Sequence, residues 1–223
     1  MKNKIFIAID TSSINRARSI IAKSKQKNFK IGYKFGLEFI NSKYGRKFIS
    51  KIRKEIIFID VKLHDIPNTM SSALNSLKDL KINYLTVHIS SGLKALREVK
   101  KVSGKIKIVG VTTLTSLDVK DLKSLGYKKK LRDVVKLQSK LAQKANLDGI
   151  VCSPQEIKLV KKFFSKEIIT PGIRIGSKKN DQKRVMTPKA AFEQGSDWLV
   201  IGRDITKGNI KNNFKNLVDH LSQ

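Results

Sequence analysis

Eight short runs rich in β-branched and aromatic residues recur along this chain, each followed by an amphipathic stretch. The runs cover residues 5–9, 29–33, 56–59, 84–87, 106–111, 149–151, 167–169 and 198–201. Apolar residues recur at helical spacing over residues 14–27, 37–53, 69–80, 93–102, 131–145, 155–164, 188–194 and 212–221. Near-continuous apolar strands are buried on both faces, so helices must cover them, and the alternation predicts a parallel sheet of βα units. Eight such units predict an α/β fold, a (β/α)8 TIM barrel. It would form a single catalytic domain over residues 1–223, slightly under the roughly 250 residues usual for that architecture. The alternative is an open doubly wound sheet. Against it, no GxGxxG follows the first run, where Asp10-Thr11-Ser12-Ser13 stands instead. Ser12/Ser13, Ser153-Pro154 and Thr187-Pro188 supply helix starts, a hydroxyl capping a free N–H and proline fitting the first turn.

Composition excludes several classes. No apolar run approaches the roughly 20 residues a bilayer span needs, so no membrane partner is expected. The apolar start at residues 5–9 is too short for a secretory signal and is interrupted by Asp10. One cysteine, Cys152, excludes an intramolecular disulfide framework and a cysteine-based zinc site, and agrees with a cytoplasmic, reducing setting. The formal net charge of +29 raises nucleic acid as a partner. Yet 38 of the 47 basic residues are lysine, and the longest run is Lys128-Lys129-Lys130. Surfaces that read bases or clamp phosphates favour arginine for its bidentate fork. Abundant Lys, Ile and Asn are also what AT-rich codons produce, so no nucleic-acid partner is expected. A basic nucleic-acid-binding protein on a barrel scaffold is the rival from another class.

Barrel enzymes carry their chemistry at the C-terminal ends of the strands. That rule selects Asp10, Lys34, Asp60, Lys62, Asp65, His88, Thr112 to Ser116, Arg174 and Gly202-Arg203. Asp60 and Lys62 are spaced i, i+2, so in a regular strand they share a face and point into the barrel mouth. Carboxylates flanking an ammonium keep it charged, which makes Lys62 a poor Schiff-base nucleophile and a sound proton donor. In the structural alternative the same charges form an ion-pair lattice that closes the barrel end. A phosphate site is expected at the loops after the seventh and eighth runs, where Thr170-Pro171-Gly172-Ile173-Arg174 and Ile201-Gly202-Arg203 combine glycine with arginine. Its structural alternative is an ordinary glycine-containing loop with solvated arginines.

Taken together, Asp60-x-Lys62-x-x-Asp65-Ile66-Pro67-Asn68-Thr69 closely resembles the signature of the orotidine 5′-phosphate decarboxylase family. Further matches run along the chain: Phe6-Ile-Ala-Ile-Asp10, Lys34-Phe-Gly, Val87-His88, Val111-Thr-Thr-Leu-Thr115-Ser116, Pro171-Gly-Ile-Arg174, Asp181-Gln182-x-Arg184 and Gly202-Arg203. Related sugar-phosphate decarboxylases and hexulose-phosphate synthases share Asp-x-Lys-x-x-Asp, and usually bring Mg2+. The Ile-Pro-Asn-Thr extension, with Pro-Gly-Ile-Arg and Asp-Gln, points to the orotidylate branch.

The resemblance implies a homodimer that decarboxylates orotidine 5′-monophosphate to UMP without cofactor or metal. By position, Lys62 protonates C6 and Asp60 sits against the substrate carboxylate, in an array with Lys34 and Asp65. Asp65 and Thr69 reach across the dimer interface to the partner's ribose. Asp10 and Lys34 hold ribose hydroxyls, Thr115 or Ser116 the pyrimidine edge, and Gln182, Gly202 and Arg203 the phosphate, with Pro171 a further substrate-binding residue. Arg174 belongs to the loop over the phosphate and is a weaker contact than Arg203. One departure is Asp204, where the family often has proline, an acidic group that could weaken the phosphate grip. His64, His88, Cys152 and Trp198 are read as packing or hydrogen-bonding residues.

Overall fold

Each of the eight runs forms a strand of one closed parallel barrel in the computed structural model, which describes residues 3–175 and 185–222. The strands are β1 (Asn3–Ile9), β2 (Phe29–Gly36), β3 (Ile56–Leu63), β4 (Tyr84–His88), β5 (Lys107–Val111), β6 (Gly149–Val151), β7 (Glu167–Thr170) and β8 (Trp198–Ile201). Each pairs with the next in chain order, and β1 with β8 closes the ring. Outside lie α1 (Ile14–Lys23), α2 (Leu37–Ile40), α3 (Gly45–Ile49), α4 (Pro67–Leu77), α5 (Gly92–Lys101), α6 (Val119–Ser124), α7 (Leu131–Lys144), α8 (Ile157–Lys161), α9 (Pro188–Glu193), α10 (Arg203–Thr206) and α11 (Ile210–Ser222). No helix among the described residues is long and apolar enough to cross a membrane.

Local chemistry explains where the structure departs from the periodicity. The single helix expected over residues 37–53 is two short ones, α2 and α3, because the chain folds tightly between them. A Cβ at Gly45 would stand 1.8 Å from the Phe39 carbonyl oxygen, so only glycine fits that approach. Helix α6 was not legible as an apolar stripe. It is built by a capping box in which Asp118 accepts from the Lys120 and Asp121 N–H groups while Asp121 accepts from that of Asp118. Ser13 and Thr187 cap α1 and α9 as expected. Ser153 makes no capping bond, and Pro154 opens a 3-10 turn before α8.

Two apolar layers hold the fold. Between strands and helices runs a continuous core that includes Ile5, Ile7, Phe35, Leu85 and Ile150. Inside the barrel, Phe6, Ala8, Phe58, Tyr84, Val109, Ile169, Trp198 and Val200 pack together, with Phe6 stacked on Trp198 at 4.1 Å between ring centroids. At the N-terminal end, Glu167 accepts from the Tyr84 hydroxyl at 3.0 Å and from Lys107 Nζ at 2.9 Å. Aromatic filling and this polar plug block the barrel from below, so a ligand can enter only at the opposite mouth.

Candidate active site

The alternation that sends Phe6 and Ala8 into the barrel brings Asp10 to its mouth, and the same parity brings Lys34 after Gly32 and Asp60 after Phe58. Opposite charges therefore meet in a row. Lys34 Nζ lies 3.5 Å from Asp10 Oδ1 and 3.3 Å from Asp60 Oδ2, and Lys62 Nζ lies 2.9 Å from Asp60 Oδ1. The row deepens toward its centre: side-chain exposure is 62% for Asp10, 12% for Lys34, 13% for Asp60 and 33% for Lys62.

Lys62 reaches this place by a route that regular alternation does not describe. Its φ is 50°, in the left-handed region, and the β3–β4 register shifts between Ile59 and Leu63. Ile59 pairs with Leu85 and Leu63 with Val87, so three residues of β3 face the single residue Thr86. The expected meeting of Asp60 and Lys62 is present, but a bulge makes it. Thr86, which no motif singled out, is buried beneath both. Its hydroxyl accepts from the Lys62 backbone N–H at 2.9 Å and donates to Asp60 Oδ1 at 3.0 Å. The only trace of it in the sequence is a polar residue at an inward position of an apolar strand.

The electrostatics follow from this packing. Burial alone would push the Lys34 ammonium down, but the Asp60 and Asp10 carboxylates outweigh it and hold its pKa above the ordinary lysine value. Burial likewise works to raise Asp60, yet Lys34, Lys62 and the bonds from Lys62 and Thr86 hold it below the ordinary carboxylate range. Both central groups are thus charged at neutral pH. His88 closes the β4 side, its ring centroid 5.1 Å from that of His64 and its Nδ1 3.4 Å from Ser90 Oγ. Burial, His64 and Lys62 push its pKa down against the pull of Asp60, which suits a neutral, packed imidazole.

This row forms one wall of a cavity of about 240 Å³. Val111, Val151, Cys152 and Val200 line its apolar parts, and Thr113, Leu114 and Thr115 border it after β5. Pro171, Gly172, Arg174, Gly202 and Arg203 line it beyond β7 and β8, so both glycine-arginine segments reach the same space. Gly172, at φ 77°, holds a turn that a side chain would strain. Arg174 is 8% exposed, its guanidinium donates to the Ile173 carbonyl at 2.9 Å, and its Nε has no partner among the described residues. Asp204 is turned to the backbone, where its Oδ2 accepts from the Ile175 N–H at 2.8 Å.

Not every expected residue joins the cavity of its own chain. Asp65 is exposed and accepts from the Ile66 N–H at 2.7 Å, and Thr69 is exposed on the first turn of α4. Among the described residues Asp65 forms no ion pair, so within one chain Asp10 stands in the row in place of Asp65. Ser116 is exposed and lies outside the cavity lining, whereas Thr115 is part of it. Gln182 lies outside the described residues.

A family model described as orotidine 5′-phosphate decarboxylase / HUMPS matches residues 3–212. The chain belongs to that family. Among curated relatives of this orotidine 5′-phosphate decarboxylase / HUMPS member, one from Wolbachia sp. subsp. Brugia malayi (strain TRS), named orotidine 5′-phosphate decarboxylase, is 42% identical over 97% of both chains. One of the same name from Coxiella burnetii is 39% identical over 92% of this chain and 90% of the relative. A crystal structure of orotidine 5′-phosphate decarboxylase from Lactobacillus acidophilus superposes with a TM-score of 0.85 at 27% identity, covering both chains fully. The enzyme of that type from Methanocaldococcus jannaschii, solved with the inhibitor BMP, shares the fold at a TM-score of 0.79 and 23% identity. Membership of an enzyme family gives the charged row at the barrel mouth a catalytic context.

Proposed function

We propose that this chain decarboxylates orotidine 5′-monophosphate to UMP, in pyrimidine nucleotide synthesis, as one cytoplasmic catalytic domain over residues 1–223 working without a cofactor. The observation that carries the proposal is the Asp10–Lys34–Asp60–Lys62 row, its Lys62 ammonium 2.9 Å from Asp60, in a cavity that also holds Arg174 and Arg203. The relatives' shared name supports the choice of substrate.

The chemistry follows from the charges. Breaking the bond from C6 to the carboxylate releases CO2 and leaves the electron pair on C6, in the ring plane where the carbonyls delocalise it poorly. Lys62 gives its Nζ proton to that pair as it develops, forming the C6–H bond, and regains a proton from water. An ammonium held in place before the reaction costs no reorganisation at the transition state. Asp60, charged and partly buried, keeps Lys62 and Lys34 in place and faces the substrate carboxylate. Asp10 and Lys34 hold the ribose, Thr115 or Ser116 the pyrimidine edge, and Pro171, Arg174, Gln182, Gly202 and Arg203 the phosphate. Phosphate binding far from C6 supplies energy that orients the base.

Asp65 and Thr69, exposed and away from their own cavity, fit a homodimer in which each completes the partner's site. The second reading is the one the sequence resemblance left open, a relative acting on a sugar phosphate, which would bring Mg2+. One assay separates the two: loss of orotidylate absorbance with and without EDTA. Turnover unchanged by EDTA is expected. No consumption of orotidylate, or consumption abolished by EDTA and restored by Mg2+, would overturn the proposal.

A further inference from the structure

The proton donor proposed above sits on a backbone that does not hold itself in place. Lys62 has a φ of 50°, a conformation that a non-glycine residue keeps only where its surroundings over-determine it. It also lies inside the bulge, outside the β3–β4 register, where the ladder offers its N–H no partner. Thr86 fills that role. Its side chain is fully buried, at 0% exposure, and one oxygen atom makes both contacts: it accepts from the Lys62 N–H at 2.9 Å and donates to Asp60 Oδ1 at 3.0 Å. A backbone N–H can only donate and an ionised carboxylate can only accept, so the hydroxyl has a single orientation that satisfies the two. The two contacts share one oxygen atom, so the position of the hydroxyl ties the Lys62 backbone to the Asp60 carboxylate.

We propose that Thr86 is a positioning residue for the proton donor: its hydroxyl locks the left-handed Lys62 backbone and aims Asp60 so that ammonium and carboxylate stay in contact. The role rests on the decarboxylase reading and adds to it a residue on a strand that carries no part of the Asp-x-Lys-x-x-Asp motif. Valine at this position keeps the branched shape and strand preference while deleting both bonds. Serine keeps the hydroxyl and deletes only a methyl. The two substitutions therefore separate hydrogen bonding from packing.

The test measures steady-state decarboxylation of orotidylate and calorimetric affinity for UMP in the full-length parent, Thr86→Val, Thr86→Ala and Thr86→Ser. For Thr86→Val, kcat should fall about 100-fold, the loss typical of a catalytic group displaced by about 1 Å. UMP affinity should stay within about threefold, because the phosphate and ribose contacts are untouched. Thr86→Ser should retain kcat within about fivefold of the parent, the hydroxyl being the group that matters. Deleting a donor to Asp60 also raises that carboxyl's pKa, so the acid limb of the kcat/KM profile should move to higher pH in Thr86→Val. Thr86→Ala gives the same comparison where buried valine impairs folding. Full kcat in both hydroxyl-free variants, or Thr86→Ser as slow as Thr86→Val, overturns the role of the hydroxyl. So does a loss confined to UMP affinity. A parent that leaves orotidylate unchanged fails at an earlier point and sinks the decarboxylase reading itself.

Discussion

Replacing Asp60 with asparagine keeps the shape of the row and removes its central charge. Lys34, 12% exposed at its side chain, then keeps, among the described residues, only Asp10 at 3.5 Å as an ion-pair partner, and Lys62 loses its partner at 2.9 Å. Each contact to Asp60 is worth about 5 kcal/mol gross at an effective dielectric near 20. Much of that is offset by the cost of holding the charges out of water. Breaking a buried pair from one side typically costs about 3 to 5 kcal/mol, and the partial exposure of Lys62 lets water recover some, which places the expectation near 3 kcal/mol. For a chain of this length that corresponds to a fall in Tm of about 6 to 12 °C. The sign with pH is fixed by the direction of the Asp60 shift. Its carboxyl lies below the ordinary range when folded, so the stabilisation is full above the ordinary carboxylate pKa. It is lost as pH falls through the depressed value, and the parent and Asp60→Asn should converge in acid. Calorimetric melting across that range provides the assay, with Lys34→Met and the double variant as controls. Removing both charges leaves one fewer unpaired ammonium, so the double variant should recover about 2 kcal/mol relative to the sum of the singles. A Tm unchanged by Asp60→Asn at neutral pH, or strictly additive losses, would refute the claim that this row is held by mutual charge.

Lys62→Ala should abolish turnover, by on the order of 1,000-fold or more, while leaving calorimetric UMP binding measurable; near-normal turnover would remove Lys62 from the mechanism. Mixing inactive Asp65→Ala and Lys62→Ala subunits should regenerate one intact site per heterodimer, and isolated heterodimers without activity would count against a shared site. Asp204→Ala frees the Ile175 N–H beside Arg174, so KM should rise about fivefold with kcat little changed, the usual value of one such bond. A lower KM would mean that the carboxylate opposes the phosphate instead. Tyr33 and Tyr84 are both pushed up to about 12, chiefly by burial, so their contribution to stability is present below pH 10 and is lost as pH rises through about 12. Urea midpoints should drop across that interval, and less so in Tyr33→Phe.

The strongly basic composition separates into two populations once the chain is folded. Lys34, Lys62, Arg174 and Arg203 line the cavity, where they suit a small substrate carrying a phosphate and a carboxylate. Among the described residues, Lys23, Lys51, Lys94, Lys123 and Lys211 belong to the exposed coat. A dispersed coat of that kind speeds capture of an anion at low salt without specifying which one.

Several features were determined by sequence alone. Eight apolar runs separated by amphipathic stretches require a parallel sheet covered by helices, because each strand must be buried on both faces. The strand-end rule pointed to Asp10, Lys34 and Asp60 at the cavity, since an inward parity that begins with Phe6 or Phe58 continues to the mouth, whereas Lys62 joins them through the bulge. Period and parity are local properties, and a single chain carries them. Tertiary structure decided the rest, because it depends on contacts between segments distant in sequence. The β3–β4 register shift puts Lys62 in a left-handed conformation and sets Thr86 beneath it. Pairing across the barrel also buries Arg174, turns Asp204 onto Ile175 and leaves Asp65 and Thr69 outside their own cavity. The Asp-x-Lys spacing names the charged pair; the neighbouring strand's hydroxyl decides how the two meet.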